Sequence, residues 1–74
     1  MKIQVSCFAT LSKYAPDDGN LDIEKGDTPE SVFKKLSIPS EEVKVIFVNG
    51  QSSKRDTLLK ENDRLGIFPA IGGG

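Results

Sequence analysis

The amino-acid sequence predicts an α+β domain, in which a mixed sheet of four to five strands carries one main helix across one face. Two observations lead to this fold class: short alternations of apolar and polar residues, typical of half-buried strands, and a single helical pattern between the second and third of them. A chain of 74 residues buries only about 60% of the surface that its unfolded form exposes. We therefore expect one domain with one core.

The first strand is predicted over Lys2 to Phe8, because Ile3, Val5 and Cys7 alternate with polar residues. This alternation puts Cys7 on the core face of the sheet, where a thiol behaves as a small hydrophobic group of low reactivity. A single cysteine also excludes an internal disulfide.

A helical turn is expected over Ala9 to Tyr14, with Leu11 and Tyr14 pointing inward. Residues 16–20 then carry dense turn chemistry, so the chain reverses direction there. Residues 21–24 alternate between apolar and acidic side chains. They predict a short second strand that forms a hairpin-like pair with the first.

The main helix is predicted to begin at Thr28, which is a good N-cap residue, with Pro29 at the first helical position. Val32, Phe33 and Leu36 follow at helical spacing, and Ile38-Pro39 comes next. The helix stops there, because the residue before a proline avoids the helical conformation.

The second half of the chain is predicted to add the remaining strands. Val43 to Val48 is its most β-prone stretch, and Asn49-Gly50 is a strong turn signal that leads into a weak strand over residues 51–54. Thr57 to Lys60 is expected to form one helical turn, and Arg64 to Phe68 the last strand.

This order of elements is that of the ubiquitin-like β-grasp roll. In that topology the first and last strands lie side by side and parallel at the centre of the sheet, so the end of the chain projects clear of it. We therefore expect a folded domain over residues 1–69 and a flexible tail over residues 70–74, ending in Gly-Gly.

Composition excludes several functions. The net charge of −1 gives no general attraction to nucleic acid or anionic lipid. No histidine is present, which argues against a metal site or a Ser-His or Cys-His catalytic pair. No apolar run approaches the roughly 20 residues of a membrane helix, and no signal segment is seen. We expect a cytoplasmic protein.

Three glycines, Gly72 to Gly74, close the sequence. Glycine loses the most backbone entropy on ordering and buries no side chain, so the end of a strand has no structural need for them. Without Cβ atoms, such a tail fits a channel too narrow for any side chain and presents its terminal carboxylate to an enzyme. A frayed end or a cloning remnant is the alternative explanation.

The sequence resembles the MoaD/ThiS family of ubiquitin-like sulfur carriers over its whole length. The residues that carry the resemblance are Phe8-Ala9-Thr10-Leu11, Val48-Asn49-Gly50, the run from Leu59 to Leu65, and Gly73-Gly74. In this family the C-terminal glycine is adenylated with ATP by an activating enzyme, converted to a thiocarboxylate and used as a sulfur donor. The resemblance implies this role for Gly74, with Gly72 and Gly73 as the threaded segment, and no cofactor bound by the chain itself.

The resemblance further implies a non-catalytic carrier. Its partners would be a ubiquitin-activating-type adenylyltransferase and the large subunit of molybdopterin synthase, or else thiazole synthase. Phe8 to Leu11 and Phe68-Pro69 are similar to the small subunit of molybdopterin synthase, the branch we favour, whereas residues 70–74 are similar to the thiamine carriers. Two alternatives are a ubiquitin-like modifier that forms isopeptide bonds with lysines and a plain binding module.

The expected partner surface lies on the outer face of the sheet, beside the tail. The resemblance to ubiquitin places Phe47 against the helix, which leaves Ile46 and Phe68 partly exposed on the opposite face. An exposed apolar patch usually marks a partner site, so we expect Phe68, Ile46 and Ile71 to contact a partner. Alternatively, the loop of residues 9–14 covers them.

Basic residues give a second set of predictions. Lys60 and Arg64 are expected near the root of the tail, where they would meet an acidic partner surface. The pairs Lys34-Lys35 and Lys54-Arg55 are expected to be solvated charge on the helix surface and on an edge strand.

Overall fold

The sheet is mixed and five-stranded in the computed structural model, which describes residues 1–70. Its strands are β1 (Lys2–Cys7), β2 (Asn20–Asp22), β3 (Val43–Val48), β4 (Gln51–Ser52) and β5 (Arg64–Pro69). The α-helix α1 (Pro29–Lys35) and two 3-10 helices, Ala9–Tyr14 and Ser40–Glu42, lie in the connections. The strand order is β2-β1-β5-β3-β4, which confirms the predicted fold class.

The first and last strands form the centre of the sheet. β1 runs parallel to β5, with Val5 opposite Leu65 and Cys7 opposite Ile67. β2 is antiparallel to β1 on one side, and β3 is antiparallel to β5 on the other. This is the β-grasp topology, and it brings the ends of β1 and β5 to the same edge of the domain.

Helix α1 begins where the sequence predicts. The Thr28 hydroxyl accepts a hydrogen bond from the Ser31 amide and the Ser31 hydroxyl accepts one from the Thr28 amide, both at 3.3 Å, which completes a capping box. Beyond the helix, Ser37 adopts a φ of 60° and the Ile38 amide donates to the Phe33 carbonyl at 2.8 Å. The helix is thereby closed before the proline.

The hydrophobic core lies between α1 and the inner face of the sheet. Its buried residues are Ile3, Val5, Leu11, Ile23, Val32, Phe33, Ile38, Val43, Ile46, Leu59, Leu65 and Ile67. The predicted inward faces of β1 and β5 are confirmed. The turn over Ala9–Tyr14 is a 3-10 helix that buries Leu11 completely and Tyr14 in part, also as expected.

β3 faces the core with the opposite set of side chains from the predicted one. Ile46 lies opposite Ile67 and is buried, whereas Phe47 lies opposite Gly66 on the outer face. A β-bulge between residues 43 and 45 adds one residue to β3, which shifts the alternation of every later residue. The prediction that Phe47 packs against the helix and that Ile46 is exposed is therefore wrong.

The helical turn predicted over Thr57 to Lys60 does not form. The Leu59 amide donates instead to the Asp27 carbonyl at 3.0 Å, and the Lys60 amide donates to the Asp63 carboxylate at 2.8 Å. Because these two amides have partners elsewhere in the chain, the segment crosses the domain as an ordered loop with Leu59 buried.

Arg55 is a structural residue and not the solvated charge that we expected. Its guanidinium donates to the carbonyl oxygens of Ser40 and Val43, both at 2.8 Å. It also pairs with the Glu30 carboxylate at 3.5 Å and lies 5.5 Å from the centroid of the Phe33 ring. The Arg55 side chain thus joins the loop between β4 and β5 to α1 and to the start of β3.

Candidate functional site

Three aromatic side chains cluster on the outer face of the sheet, at the end where β1 and β5 finish. The rings of Phe8 and Phe68 are stacked, with centroids 4.3 Å apart and planes within 5°. The Phe47 ring meets Phe68 edge-on, with centroids 5.5 Å apart. Phe8 is 42% exposed, and the other two are partly exposed. We call these three residues the aromatic cluster.

Strand pairing brings these rings together. The amide of Phe8 donates to the Ile67 carbonyl at 3.1 Å, which holds the residue after β1 against β5. Phe68 points outward because Ile67 points into the core, and Phe47 lies opposite Gly66 one strand away. The cluster is therefore a product of alternation in two strands and of the bulge in β3.

The prediction that Phe68 is partly exposed on the outer face is confirmed, whereas the exposure expected for Ile46 is wrong. Ile46 is 5% exposed, so a partner cannot reach it while the domain is folded. The residue that covers one face of Phe68 is Phe8, which stacks on it and lies before the loop of residues 9–14. Phe8 and Phe47 are the members of the surface that sequence reasoning missed. The stack itself leaves no mark in the sequence, since it depends on the register between β1 and β5, in which Cys7 lies opposite Ile67.

The root of the tail is fixed beside the aromatic cluster. Pro69, the last residue of β5, is buried, and the amide of Ala70 donates to the Glu42 carbonyl at 3.2 Å. Phe68 precedes Pro69 directly, so the cluster borders the point where the chain leaves the sheet. The predicted sites in the tail lie outside the described residues: Ile71, Gly72, Gly73 and Gly74. The division into residues 1–69 and 70–74 stays a prediction.

The prediction that Lys60 and Arg64 lie near the root of the tail is wrong. Arg64 begins β5 and Ala70 follows its other end, which separates the two by ~20 Å at about 3.3 Å per residue. Lys60 is exposed on the loop before β5. Both residues remain exposed cations, and their contact with a partner stays a prediction.

The buried carboxylate of Asp63 connects the turn after β3 with the loop before β5. Asp63 is 8% exposed and accepts hydrogen bonds from the Asn49 side-chain amide at 2.9 Å and from the Lys60 backbone amide at 2.8 Å. The Asn49 side-chain oxygen in turn accepts from the Arg64 amide at 2.9 Å. This network joins the turn after β3 to the start of β5.

Cys7 lies at the end of β1 and packs against the core. Burial raises the pKa of its thiol above the ordinary value of 9.0, because the thiolate is poorly solvated there. The predicted inward direction is confirmed. Its low reactivity stays a prediction.

Within residues 1–70, no three metal-ligating side chains come together. None of the helices in that range has the length and hydropathy to cross a membrane.

Fold and sequence comparisons identify the class of protein. The β-grasp arrangement of sheet and helix is that of the small ubiquitin-like proteins. The ThiS family matches residues 5–74, which is nearly the whole sequence, and the chain belongs to this family. The MoaD/ThiS resemblance is thereby confirmed, and it supports a carrier or modifier of the ubiquitin-like type.

Solved structures with the same fold agree. SAMP1 from Haloferax volcanii superposes with a TM-score of 0.74 at 18% identity, covering 100% of both chains. A putative molybdopterin converting factor, subunit 1, from Pyrococcus furiosus gives 0.74 at 23% identity, covering 96% of this chain and 99% of the other.

A third structure contains a partner. It is a complex of subunits 1 and 2 of the molybdopterin-converting factor from Helicobacter pylori, which gives a TM-score of 0.60 at 20% identity and covers 100% of both chains. At these identities the likeness concerns the fold. Among curated proteins, none is significantly similar to the chain in sequence.

Proposed function

We propose that this protein is a sulfur carrier whose reactive group is the C-terminal carboxylate of Gly74. A carboxylate oxygen attacks the α-phosphorus of ATP in a partner adenylyltransferase, and pyrophosphate leaves. Hydrosulfide then attacks the acyl carbon of the adenylate and AMP leaves, which gives the thiocarboxylate directly. If a persulfide attacks instead, AMP leaves to give an acyl disulfide, and a second thiol cleaves its S–S bond, which releases the thiocarboxylate and leaves a disulfide between that thiol and the donor. We propose further that the chain supplies no catalytic group, binds no cofactor and works in the cytoplasm, where ATP is available.

One observation carries this proposal: the ThiS family match extends through residue 74 and so includes the glycine end. The structure adds a reason for partner binding. An aromatic cluster next to the root of the tail offers an apolar contact that positions the terminal residues in a partner's active site. Gly72 and Gly73 would be the segment that threads into that site.

We propose the molybdopterin branch as the destination of the sulfur. Support comes from two solved structures that share the fold, a putative molybdopterin converting factor, subunit 1, from Pyrococcus furiosus and the complex of subunits 1 and 2 of the molybdopterin-converting factor from Helicobacter pylori. The second subunit in the Helicobacter pylori complex is the kind of partner that we propose for this chain. Thiazole synthase in thiamine formation remains the alternative acceptor, because the matching family is ThiS.

A protein modifier is the second candidate function. Another structure with this fold, at 16% identity and a TM-score of 0.73, is described as a small archaeal modifier protein from Haloferax volcanii. A modifier uses the same adenylate, but a lysine amine attacks the acyl carbon and forms an isopeptide bond. The two functions therefore share activation and differ in the nucleophile.

Deletion of Gly73 and Gly74 tests the proposal. ATP-pyrophosphate exchange by an adenylyltransferase from the same cell is measured with the full chain and with the truncated one. We expect exchange to fall to background with the truncated chain, while its melting temperature stays unchanged, because the two residues bury no side chain. Undiminished exchange by the truncated chain would contradict the proposal.

The acceptor is identified in a second step. The adenylated chain is offered hydrosulfide, and in parallel a lysine-containing protein extract. A mass increase equal to the exchange of one oxygen for sulfur supports the carrier, whereas adducts linked through Gly74 to lysines support the modifier.

A further inference from the structure

The Asn49-Gly50 turn carries a chemical reactivity that the proposed function does not use. An asparagine followed by glycine is prone to deamidation, because glycine has no Cβ atom to shield its amide nitrogen and lets the backbone reach the conformation that ring closure needs. The sequence contains three asparagines, and Asn49 is the one followed by glycine. Asn49 and Gly50 are both exposed just after β3, so water reaches them.

The reaction needs no reagent other than water. The Gly50 amide nitrogen, on losing its proton, attacks the side-chain carbonyl carbon Cγ of Asn49. The new Cγ–N bond closes a five-membered succinimide ring, the Cγ–Nδ2 bond breaks, and ammonia leaves with the proton. Water then opens the ring at one of its two carbonyl carbons. The product is an aspartate at position 49, or an isoaspartate in which the backbone runs through the side chain.

The fold holds the reacting side chain in place. The Nδ2 group of Asn49 donates to the Asp63 carboxylate at 2.9 Å, and the Asn49 side-chain oxygen accepts from the Arg64 amide at 2.9 Å. The Asn49 backbone amide also donates to the Arg64 carbonyl at 2.8 Å. Both ends of the side-chain amide therefore have partners, 14 and 15 residues further along the chain. Cγ has to break both bonds before it can swing onto the Gly50 nitrogen.

Deamidation turns an attractive contact into a repulsive one. The Asp63 carboxylate is 8% exposed, and in the product a second carboxylate takes the place of its Nδ2 donor. Two carboxylates at this distance repel, and burial weakens the screening by water that would reduce the repulsion. Among residues 1–70, the salt bridges join Lys35 to Asp27 and Arg55 to Glu30, so no side-chain cation there pairs with Asp63 to offset it.

We propose that Asn49 is a deamidation site that the folded domain protects, and that its conversion is a one-way switch that loosens the joint between the β3–β4 turn and the start of β5. The inference does not depend on sulfur transfer. Each opening of the network exposes Asn49 to conversion, and a converted chain opens more readily because its two carboxylates repel. The site therefore limits how long the domain keeps its intact fold.

Ageing of the full-length chain tests the site and its protection. The chain is kept at mildly alkaline pH, folded in buffer or unfolded in guanidinium chloride, and its peptides are followed by mass spectrometry. We expect Asn49 to convert about tenfold or more slowly in the folded chain, because conversion then follows the small open population. Asn20, which precedes Leu21, is the internal control and should convert slowly in both states. Equal rates for Asn49 in the two states, or an Asn20 that converts as fast as Asn49, would overturn the proposal.

A pair of variants separates release of the side chain from general unfolding. Asp63→Ala removes the acceptor of the Asn49 amide, whereas Ile67→Ala empties a core site and leaves the hydrogen bonds of Asn49 in place. Under conditions where both variants are folded, we expect Asn49 to convert several-fold faster in Asp63→Ala than in Ile67→Ala. If Asn49 converts as fast in Ile67→Ala, the hydrogen bonds do not protect the site.

A charge swap tests the consequence of conversion. Asn49→Asp imitates the aspartate product and should unfold at a lower urea concentration than the wild type. Adding Asp63→Asn to it brings a carboxylate and an amide back into contact with their roles exchanged, and should recover about half or more of the lost midpoint. An Asn49→Asp variant that unfolds like the wild type, or a double variant that is no more stable than Asn49→Asp, would overturn the switch.

Discussion

The two faces of the sheet use the same strands for different purposes. Ile67 and Phe68 are consecutive residues of β5, yet Ile67 is 0% exposed in the core and Phe68 stands partly exposed in the aromatic cluster. The inner face is aliphatic and closed by α1, whereas the outer face is aromatic and interrupted by a glycine. Residues that point inward thus stabilise the fold, and residues that point outward are available to a partner. Substitutions at neighbouring positions measure this difference.

The largest expected effect is at the inner face. Ile67→Ala should lower the free energy of unfolding by about 2–5 kcal/mol, because it empties a fully buried site. Phe68→Ala should cost only about 1 kcal/mol, mainly through lost ring contacts. Urea unfolding of both variants measures the difference. In partner titrations, at a temperature where both variants are folded, we expect Phe68→Ala to lose more affinity than Ile67→Ala. If the two variants lose equal stability and equal affinity, the two faces do not have separate roles.

The second prediction sharpens the assignment of β3. Ile46→Ala should lower the free energy of unfolding by about 2–4 kcal/mol, and Phe47→Ala by about 1 kcal/mol. The reason is the bulge, which turns Ile46 inward. Thermal melts of the two variants decide it. A larger loss for Phe47→Ala would mean that the strand is turned by one residue.

A third, smaller effect is expected where the two faces are joined. Asp63→Ala leaves the Asn49 side-chain amide and the Lys60 backbone amide without their acceptor and should cost about 1–3 kcal/mol. Glu61→Ala, exposed in the same loop, is the control and should change stability little. If both variants unfold at the same urea concentration, the network does not stabilise the domain.

The smallest effect is at Cys7. Its thiol pKa is raised in the folded state, so the unfolded chain loses this proton first as the pH increases. The neutral thiol therefore favours the folded state below pH 9.0, and this contribution is lost as the pH rises through the folded pKa. Stability of the wild type should fall more steeply than that of Cys7→Ala above this pH, measured by urea unfolding. Identical slopes would show that the thiol is solvated.

Cys7→Ala also tests how sulfur is carried. Cys7 is the single cysteine of the chain, and a sulfur carried on the C-terminal carboxylate does not need it. We expect the folded variant to be loaded with sulfur to the wild-type extent. Loss of loading in the folded variant would show that the sulfur passes through the Cys7 thiol.

The sequence was sufficient for the fold because its signals are local or follow from strand order. The Thr28-Pro29 helix start, the Asn49-Gly50 turn and the alternation of β1 each have a direct physical cause in a few residues. Local signals do not decide which side chains of β3 form the outer face. Residues 45–48 are all apolar, so alternation alone does not distinguish the core side, and a bulge of one residue decides it.

The same limit applies to the polar contacts. The sequence predicts a solvated Arg55, because a basic pair on an edge strand has no local sign of its partners, which come from α1, from Ser40 and from the start of β3. The distance of Arg64 from the tail follows from where β5 begins and ends. Such relations emerge from tertiary structure, whereas the glycine end is visible in the sequence itself.

Intact-mass analysis of the protein from its native cell, with fragmentation of the C-terminal peptide, tests the central claim most directly. We predict a population in which one oxygen of the Gly74 carboxylate is replaced by sulfur, and this population should grow when the chain is incubated with ATP, the adenylyltransferase and hydrosulfide. Sulfur found on Cys7, or a Gly74 carboxylate that stays unchanged under those conditions, would contradict it.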